Sequence, residues 1–203
     1  MPFSWHALGS SQRTAEFLFL ICYSDFAKTR GINLNHHHPE PSDAETASIV
    51  ATLTRELRSI VDHSDKPEKK GGTPIDRDPA KLLAIGEALC HAGDFRNALP
   101  IALYLVSNPN MPSRHAFLAA SCLQRLGRPE LAVRLFGLCT LLEGEAPTPA
   151  PLLRAGECLA AVGQTEEAVQ MLDFAIEIAR QNAGHAAIQS LAQAKLDALR
   201  AVH

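Results

Sequence analysis

The side chains of this chain that are best suited to chemistry are its histidines and cysteines. His36, His37 and His38 are consecutive, but no carboxylate or cysteine stands at the spacing that a metal site requires. His91 and His115 are isolated, and we expect them at the protein surface or at the edge of a groove. The sequence therefore predicts no metal site, and we expect no cofactor.

The cysteines are odd in number and include no C-x-x-C pair, which argues against a disulfide framework and against a zinc site. All but the first fall within predicted helices. We interpret them as small buried hydrophobic side chains in a reducing compartment, with a redox or zinc role as the alternative. The cysteines are Cys22, Cys90, Cys122, Cys139 and Cys158.

The sequence also lacks recognisable catalytic motifs. Glu166 and Glu167 stand in the first turn of a predicted helix, where carboxylates interact favourably with the helix dipole, so they need no catalytic role. The segment KKGGT lacks the preceding strand and the spacing of a phosphate-binding loop. The net charge of −3 argues against a nucleic-acid surface. The most apolar run, 17–22, is too short to span a membrane, and we expect no secretory signal. We predict a non-enzymatic protein that binds neither nucleic acid nor membranes.

One pattern of small residues recurs three times from about residue 80 onwards. The glycines at its centre are separated by 34 and then 36 residues, a period typical of stacked helix hairpins. Each glycine should end a first helix in a left-handed conformation, which glycine adopts without a Cβ clash. Small residues seven positions before it and five after it should mark the crossing of two helices. The turn glycines are Gly93, Gly127 and Gly163, and the crossing residues are Gly86, Ala98, Ala120, Ala132, Gly156 and Ala168.

This pattern predicts an all-α fold, a solenoid of three helix hairpins with a leading amphipathic helix and a closing helix. The hairpins and the closing helix should occupy 80–203. We expect an irregular or partly helical extension over 1–42, an amphipathic helix and possible dimer contact at 43–63, and a charged linker at 64–79. Within the array, the sequence predicts helices at 80–91, 95–107, 113–126, 129–143, 149–162, 165–181 and 185–201.

At these residues the chain resembles the tetratricopeptide repeat, because the small residue, the turn glycine and the alanine are present three times. The bulky aromatic of that family is replaced by Leu82, Ala116 and Leu152. The third unit, APLLRAGECLAAVGQTEEAVQMLDFAIEIA, and the string KKGGTPIDRDPAKLLAIGEAL are similar to the type III secretion chaperones that hold translocator proteins. The resemblance covers about residues 43–200. It implies a cytoplasmic bacterial chaperone that keeps a secreted client, such as a translocator or a needle or tip subunit, soluble before export.

The first helices of the hairpins should line a groove for an extended or amphipathic segment of such a client. The inward positions lie about ten, six and three residues before each turn glycine. Leu83, Phe117 and Leu153 should form an apolar rung, with small and polar side chains around it. The alternative function is a general tetratricopeptide scaffold that joins other proteins. The predicted groove residues are Leu83, Glu87, Cys90, Phe117, Ser121, Gln124, Leu153, Glu157 and Ala160.

Overall fold

The structure is a computed structural model that describes Arg55 and residues 78–108, 111–144 and 146–201. The predicted N-terminal extension, leading helix and most of the linker lie outside these residues, except that Arg55 is helical and exposed. Within the described ranges the regular secondary structure is entirely helical, as the sequence predicts.

Seven α-helices follow one another in the described array, and each begins and ends within one residue of its predicted bounds. A short 3₁₀ helix, Ala183–His185, precedes the last of them. None of the helices in the described ranges is long and apolar enough to cross a membrane. The helices are α1 Pro79–His91, α2 Phe95–Val106, α3 Ser113–Arg125, α4 Pro129–Glu143, α5 Pro149–Ala161, α6 Thr165–Arg180 and α7 Ala186–Ala201.

Local sequence signals explain where several helices begin. The carboxylate of Asp78 accepts a hydrogen bond from the backbone N–H of Ala80 at the start of α1. Asp94 caps α2 in the same way by accepting from the N–H of Asn97. Proline stands in the first turn of α1, α4 and α5, where its missing N–H leaves no intrahelical hydrogen bond unmade. Each start is therefore encoded by residues within a few positions of it.

The three turn glycines end the first helix of each hairpin. Gly93, Gly127 and Gly163 have φ angles of 78°, 74° and 81°, in the left-handed region that disfavours a side chain. In the first turn the N–H of Asp94 donates to the carbonyl of Leu89 at 2.8 Å, and the same bond closes the other two turns. In each turn the N–H of the glycine also donates to the carbonyl three residues earlier, and the two bonds together form a Schellman motif, which reverses the chain into the second helix.

Consecutive helices pack against each other along the whole array, so α1/α2, α3/α4 and α5/α6 form hairpins. The closing helix α7 packs against both α6 and α5. The buried core runs through every hairpin and includes Phe136, Leu105, Leu135 and Leu172, all with almost no exposed surface. The expected architecture of three hairpins and a closing helix is confirmed for the part of the chain that the structure describes.

Close helix contacts occur at two of the small positions that precede the turn glycines. A Cβ built on Gly156 would lie 2.9 Å from Cγ of Leu172 and 3.3 Å from the carbonyl oxygen of Ala168, both in the second helix of the same hairpin. A Cβ built on Gly86 would lie 2.8 Å from Cδ2 of Leu118, which belongs to the next hairpin. Gly156 therefore allows close approach of the second helix of its own hairpin, whereas Gly86 allows close approach of a helix of the next hairpin.

Candidate functional site

The first helices of the hairpins contact one another through side chains, and these contacts define the candidate site. We call the surface formed by the predicted groove positions on α1, α3 and α5 the first-helix face. Across it, α1 is linked to α3, α3 to α5, and α5 to α7. The turn glycines produce this arrangement. Each one reverses the chain within its hairpin, so the first helices of the three hairpins lie on the same side of the stack.

The link between α1 and α3 is a bidentate ion pair. Nε of Arg114 donates to Oε1 of Glu87 at 2.7 Å, and a second guanidinium nitrogen donates to Oε2 at 2.8 Å. Both side chains are partly exposed, so the pair contributes up to about 1 kcal/mol to stability. Its bidentate geometry gives the contact between the first two hairpins a defined orientation at this end of the face.

Glu157 is the charged centre of the other half of the face. Its side chain is only 15% exposed. Its carboxylate accepts from Arg154 at 2.8 Å and from the amide of Gln124 at 3.3 Å, and Lys195 of α7 lies 3.4 Å away. Burial acts to raise the pKa of this carboxyl, but the charge and hydrogen bond of Arg154, the charge of Lys195 and the hydrogen bond of Gln124 together hold it below its usual value. The carboxylate is therefore ionised and links three helices.

The predicted apolar rung is only partly open to solvent. Leu83 and Phe117 are half-buried, and the ring of Phe117 packs edge-on against Phe136 with centroids 5.4 Å apart. Leu153 is 3% exposed and belongs to the core. The accessible part of the apolar rung is therefore contributed by α1 and α3.

The remaining predicted groove residues occupy the same face at intermediate depth. The hydroxyl of Ser121 donates to the backbone carbonyl of Phe117 at 2.8 Å and is thereby directed along its own helix. Ala160 and Cys90 are half-buried. The assignment of these positions to client binding stays a prediction.

The described cysteines are all reduced, and three of them are buried as the sequence predicts. Burial raises the pKa of the Cys139 and Cys158 thiols to about 12. Burial, with a further contribution from the neighbouring Cys90, also raises the pKa of Cys122. The sequence did not predict that two of these cysteines lie in contact. Sγ of Cys90 is 3.4 Å from Sγ of Cys122, although the two residues are far apart in the sequence.

The expectation that His115 lies at the surface or at a groove edge is wrong. The residue is only 6% exposed, and Nδ1 of its ring has no hydrogen-bond partner. Burial lowers the pKa of His115, the hydrogen bond with the backbone of Leu105 partly opposes this, and the charge of Arg114 lowers it further. The side chain is enclosed because the start of α3 packs against the end of α2, a contact that no local pattern indicates. His91 is exposed, as predicted.

Metal-ligating side chains are not clustered in the described ranges, where no group of three or more histidine, cysteine or carboxylate side chains lies close enough to hold an ion. The first-helix face presents both polar and apolar side chains. Its chemistry is suited to non-covalent contact with a polypeptide.

Together, the hairpins and their linked first helices define a solenoid of the tetratricopeptide type. More narrowly, the fold is that of the type III secretion translocator chaperones. PcrH from Pseudomonas aeruginosa superposes with a TM-score of 0.57 and 25% identity, over 64% of this chain and 96% of PcrH. PcrH in complex with the chaperone-binding region of PopD gives a TM-score of 0.58 and 24% identity, over 66% of this chain and 97% of PcrH.

A third similar structure is the chaperone SycD from Yersinia enterocolitica in complex with a peptide of the translocator YopD. It gives a TM-score of 0.56 and 20% identity, over 60% of this chain and 91% of SycD. No protein-family model matches the chain, and no curated protein matches it at a significant level. The likeness is therefore visible in the fold and only weakly in the sequence.

Proposed function

We propose that this chain is a non-enzymatic chaperone of a bacterial type III secretion system. It acts in the cytoplasm and binds a segment of a secreted client, such as a translocator or a needle or tip subunit, on its first-helix face. The observation that carries this proposal is the shared fold with PcrH and SycD, which were solved with peptides of PopD and YopD.

The first-helix face supplies the chemistry that such binding needs. Leu83 and Phe117 offer apolar surface beside the polar side chains of Glu87, Gln124 and Glu157. A client segment in extended form would place alternate apolar side chains against Leu83 and Phe117. Masking these side chains keeps the client from aggregating, while the entropy lost in ordering the segment limits the net affinity. Capture and release on this basis need no nucleotide.

Co-expression with a candidate translocator from the same gene cluster tests the proposal directly. We expect the translocator to become soluble and to co-purify with the chain. Leu83→Glu places a charge on the apolar part of the face and should abolish co-purification while leaving the helical circular dichroism intact. Ile85→Glu is the matched control, because Ile85 is 50% exposed and points away from Leu83 on the same helix. A translocator that stays insoluble with the wild-type chain, or a Leu83→Glu protein that binds normally, would contradict the proposal.

A general tetratricopeptide scaffold is the alternative function, and it rests on the fold alone. A scaffold would bind folded partners and would not change the solubility of a translocator. Gene clusters that contain no secretion apparatus would favour this alternative.

We also propose that the chain forms a homodimer through 43–63, since the apolar side predicted for that segment needs a partner. Light scattering on the full chain and on a version that lacks residues 1–64 tests this. We expect a dimer for the first and a monomer for the second, and a dimer for both would contradict the assignment of the contact.

A further inference from the structure

Cys90 and Cys122 are a pair of thiols that lie across the junction of the first two hairpins. Cys90 is in the last turn of α1, Cys122 is in α3, and their sulfur atoms are 3.4 Å apart. Cys90 is partly exposed, whereas Cys122 is buried. Cys90 is therefore the more accessible residue of the pair, and the sulfur of Cys122 lies in contact with the Cys90 sulfur.

The two sulfurs are in van der Waals contact. A disulfide has an S–S length of about 2.05 Å, so the sulfurs must approach by only about 1.4 Å. The two helices already pack against each other, and the bond would join residues 32 positions apart in the sequence. Rotation of the two side chains about their Cα–Cβ bonds is the movement by which we expect the sulfurs to meet.

We propose that Cys90 and Cys122 form an oxidation site, at which a peroxide converts the two thiols into a disulfide that joins the first and second hairpins. The sulfur of Cys90 attacks one peroxide oxygen, the O–O bond breaks, and one water leaves as a sulfenic acid forms. The sulfur of Cys122 then attacks the sulfur of Cys90, the S–O bond breaks, and the second water leaves with the proton of Cys122. Two thiols have lost two electrons, and one peroxide has become two waters.

The order of the two steps follows from the surroundings of each sulfur. Cys122 is buried and its pKa is raised, so it remains protonated and is shielded from a solvent oxidant. Its nearness to Cys90 gives it a high effective concentration for the second step.

The other described cysteines lack this arrangement. Cys139 and Cys158 are buried, and the nearest polar contact of the Cys139 sulfur is Oε1 of Glu143 at 3.8 Å. Burial raises the pKa of both thiols to about 12, which keeps them protonated at neutral pH. Cys122 is buried and protonated as well, so the partial exposure of Cys90 and its contact with a second sulfur are what should make this pair the selective site of oxidation in the folded chain.

The cross-link would also change the stability of the array. It closes a loop that contains the first hairpin turn, all of α2 and most of α3, and so reduces the freedom of the unfolded chain. We expect the oxidised protein to unfold at a higher temperature than the reduced protein. The effect should centre on the junction between the first two hairpins.

Mass spectrometry of the full, folded chain tests the proposal. The protein is treated with hydrogen peroxide, free thiols are alkylated, and the sample is digested with trypsin. Trypsin places every cysteine of the chain in a separate peptide, with Cys90 in 82–96 and Cys122 in 115–125. We expect a cross-linked pair of these two peptides, lighter by two hydrogen atoms than their sum, and its loss on reduction with dithiothreitol.

Two variants control the experiment. In Cys90→Ser the thiol of Cys122 should stay unoxidised, and peroxide should leave the melting temperature unchanged. In Cys122→Ala the sulfenic acid of Cys90 should persist and react with dimedone, since no second thiol stands behind it. The proposal is overturned if wild-type protein oxidises Cys90 without joining Cys122, if the cross-link forms between other peptides, or if neither thiol reacts at peroxide levels that oxidise glutathione.

Discussion

Alanine at Gly156 and alanine at Gly86 should have different effects on stability, although both glycines occupy the same position of the repeat. Each substitution gains about 1 kcal/mol from helix propensity. At Gly156 the new Cβ would lie 2.9 Å from Cγ of Leu172 and 3.3 Å from the carbonyl oxygen of Ala168. A branch carbon in a buried side chain and a backbone atom cannot easily move, so overpacking should cost about 1–3 kcal/mol.

At Gly86 the short contact is with Cδ2 of Leu118, the end of a flexible side chain, and the next neighbour, Ile101, is at an ordinary 3.6 Å. This strain should relax by a small rotation of Leu118. We therefore expect Gly86→Ala to be neutral or stabilising by up to about 1 kcal/mol, and Gly156→Ala to be destabilising by about 1 kcal/mol.

Urea unfolding followed by far-UV circular dichroism measures both variants against the wild type. The slope of free energy against urea should stay constant, because neither change alters the surface exposed on unfolding. If Gly156→Ala proves as stable as Gly86→Ala or more so, the argument that rigid neighbours decide the cost of a Cβ is refuted.

The remaining predictions concern a turn and two titrating side chains. Gly163→Ala should cost about 1–2 kcal/mol in urea unfolding, because the φ angle of 81° lies in the left-handed region that a residue with a Cβ disfavours. No neighbouring atom lies within 4 Å of the new Cβ, so the cost comes from the backbone conformation alone. The pKa of His115 is lowered on folding, so its contribution to stability is complete above the unfolded value of about 6.5 and is lost as the pH falls below it. His115→Leu should flatten the fall in unfolding free energy between about pH 7.5 and 5.5, and an unchanged pH profile would contradict the burial of a neutral ring. The pKa of Glu157 is also lowered, so its contribution is present above about pH 4.3 and is lost on further acidification. Glu157→Gln should remove this acid-dependent loss and cost about 1 kcal/mol or less at neutral pH, because Arg154 and Lys195 are half-exposed; acid titration of both proteins checks this.

The helices of the array were predictable because their signals are local. Asp94, Pro129 and the turn glycine Gly127 act through bonds and dihedral angles within a few residues of the helix end that each one defines. Because the pattern occurs three times, the helix boundaries of one hairpin could be compared with those of the other two. The predicted boundaries agree with the structure to within one residue.

The candidate site was less predictable because exposure depends on neighbours in space. Leu83, Phe117 and Leu153 occupy equivalent repeat positions, yet Leu153 is in the core and the other two are half-open. A helical wheel assigns the same orientation to equivalent positions in all three hairpins. The closing helix α7 packs against α5, the first helix of the last hairpin, so equivalent positions do not have equivalent surroundings.

The sequence by itself determined the helices, their pairing into hairpins and the type of solenoid, because glycine turns, helix caps and small crossing residues act over short stretches of chain. Only the tertiary structure decided which side chains meet across the first helices. It buried His115, it gathered three partners around Glu157, and it brought the sulfurs of Cys90 and Cys122 to 3.4 Å. The contacts of Glu157 with Gln124 and Lys195 and that of Cys90 with Cys122 join residues more than 30 positions apart, and their geometry depends on how one hairpin is rotated against the next, which no local pattern encodes.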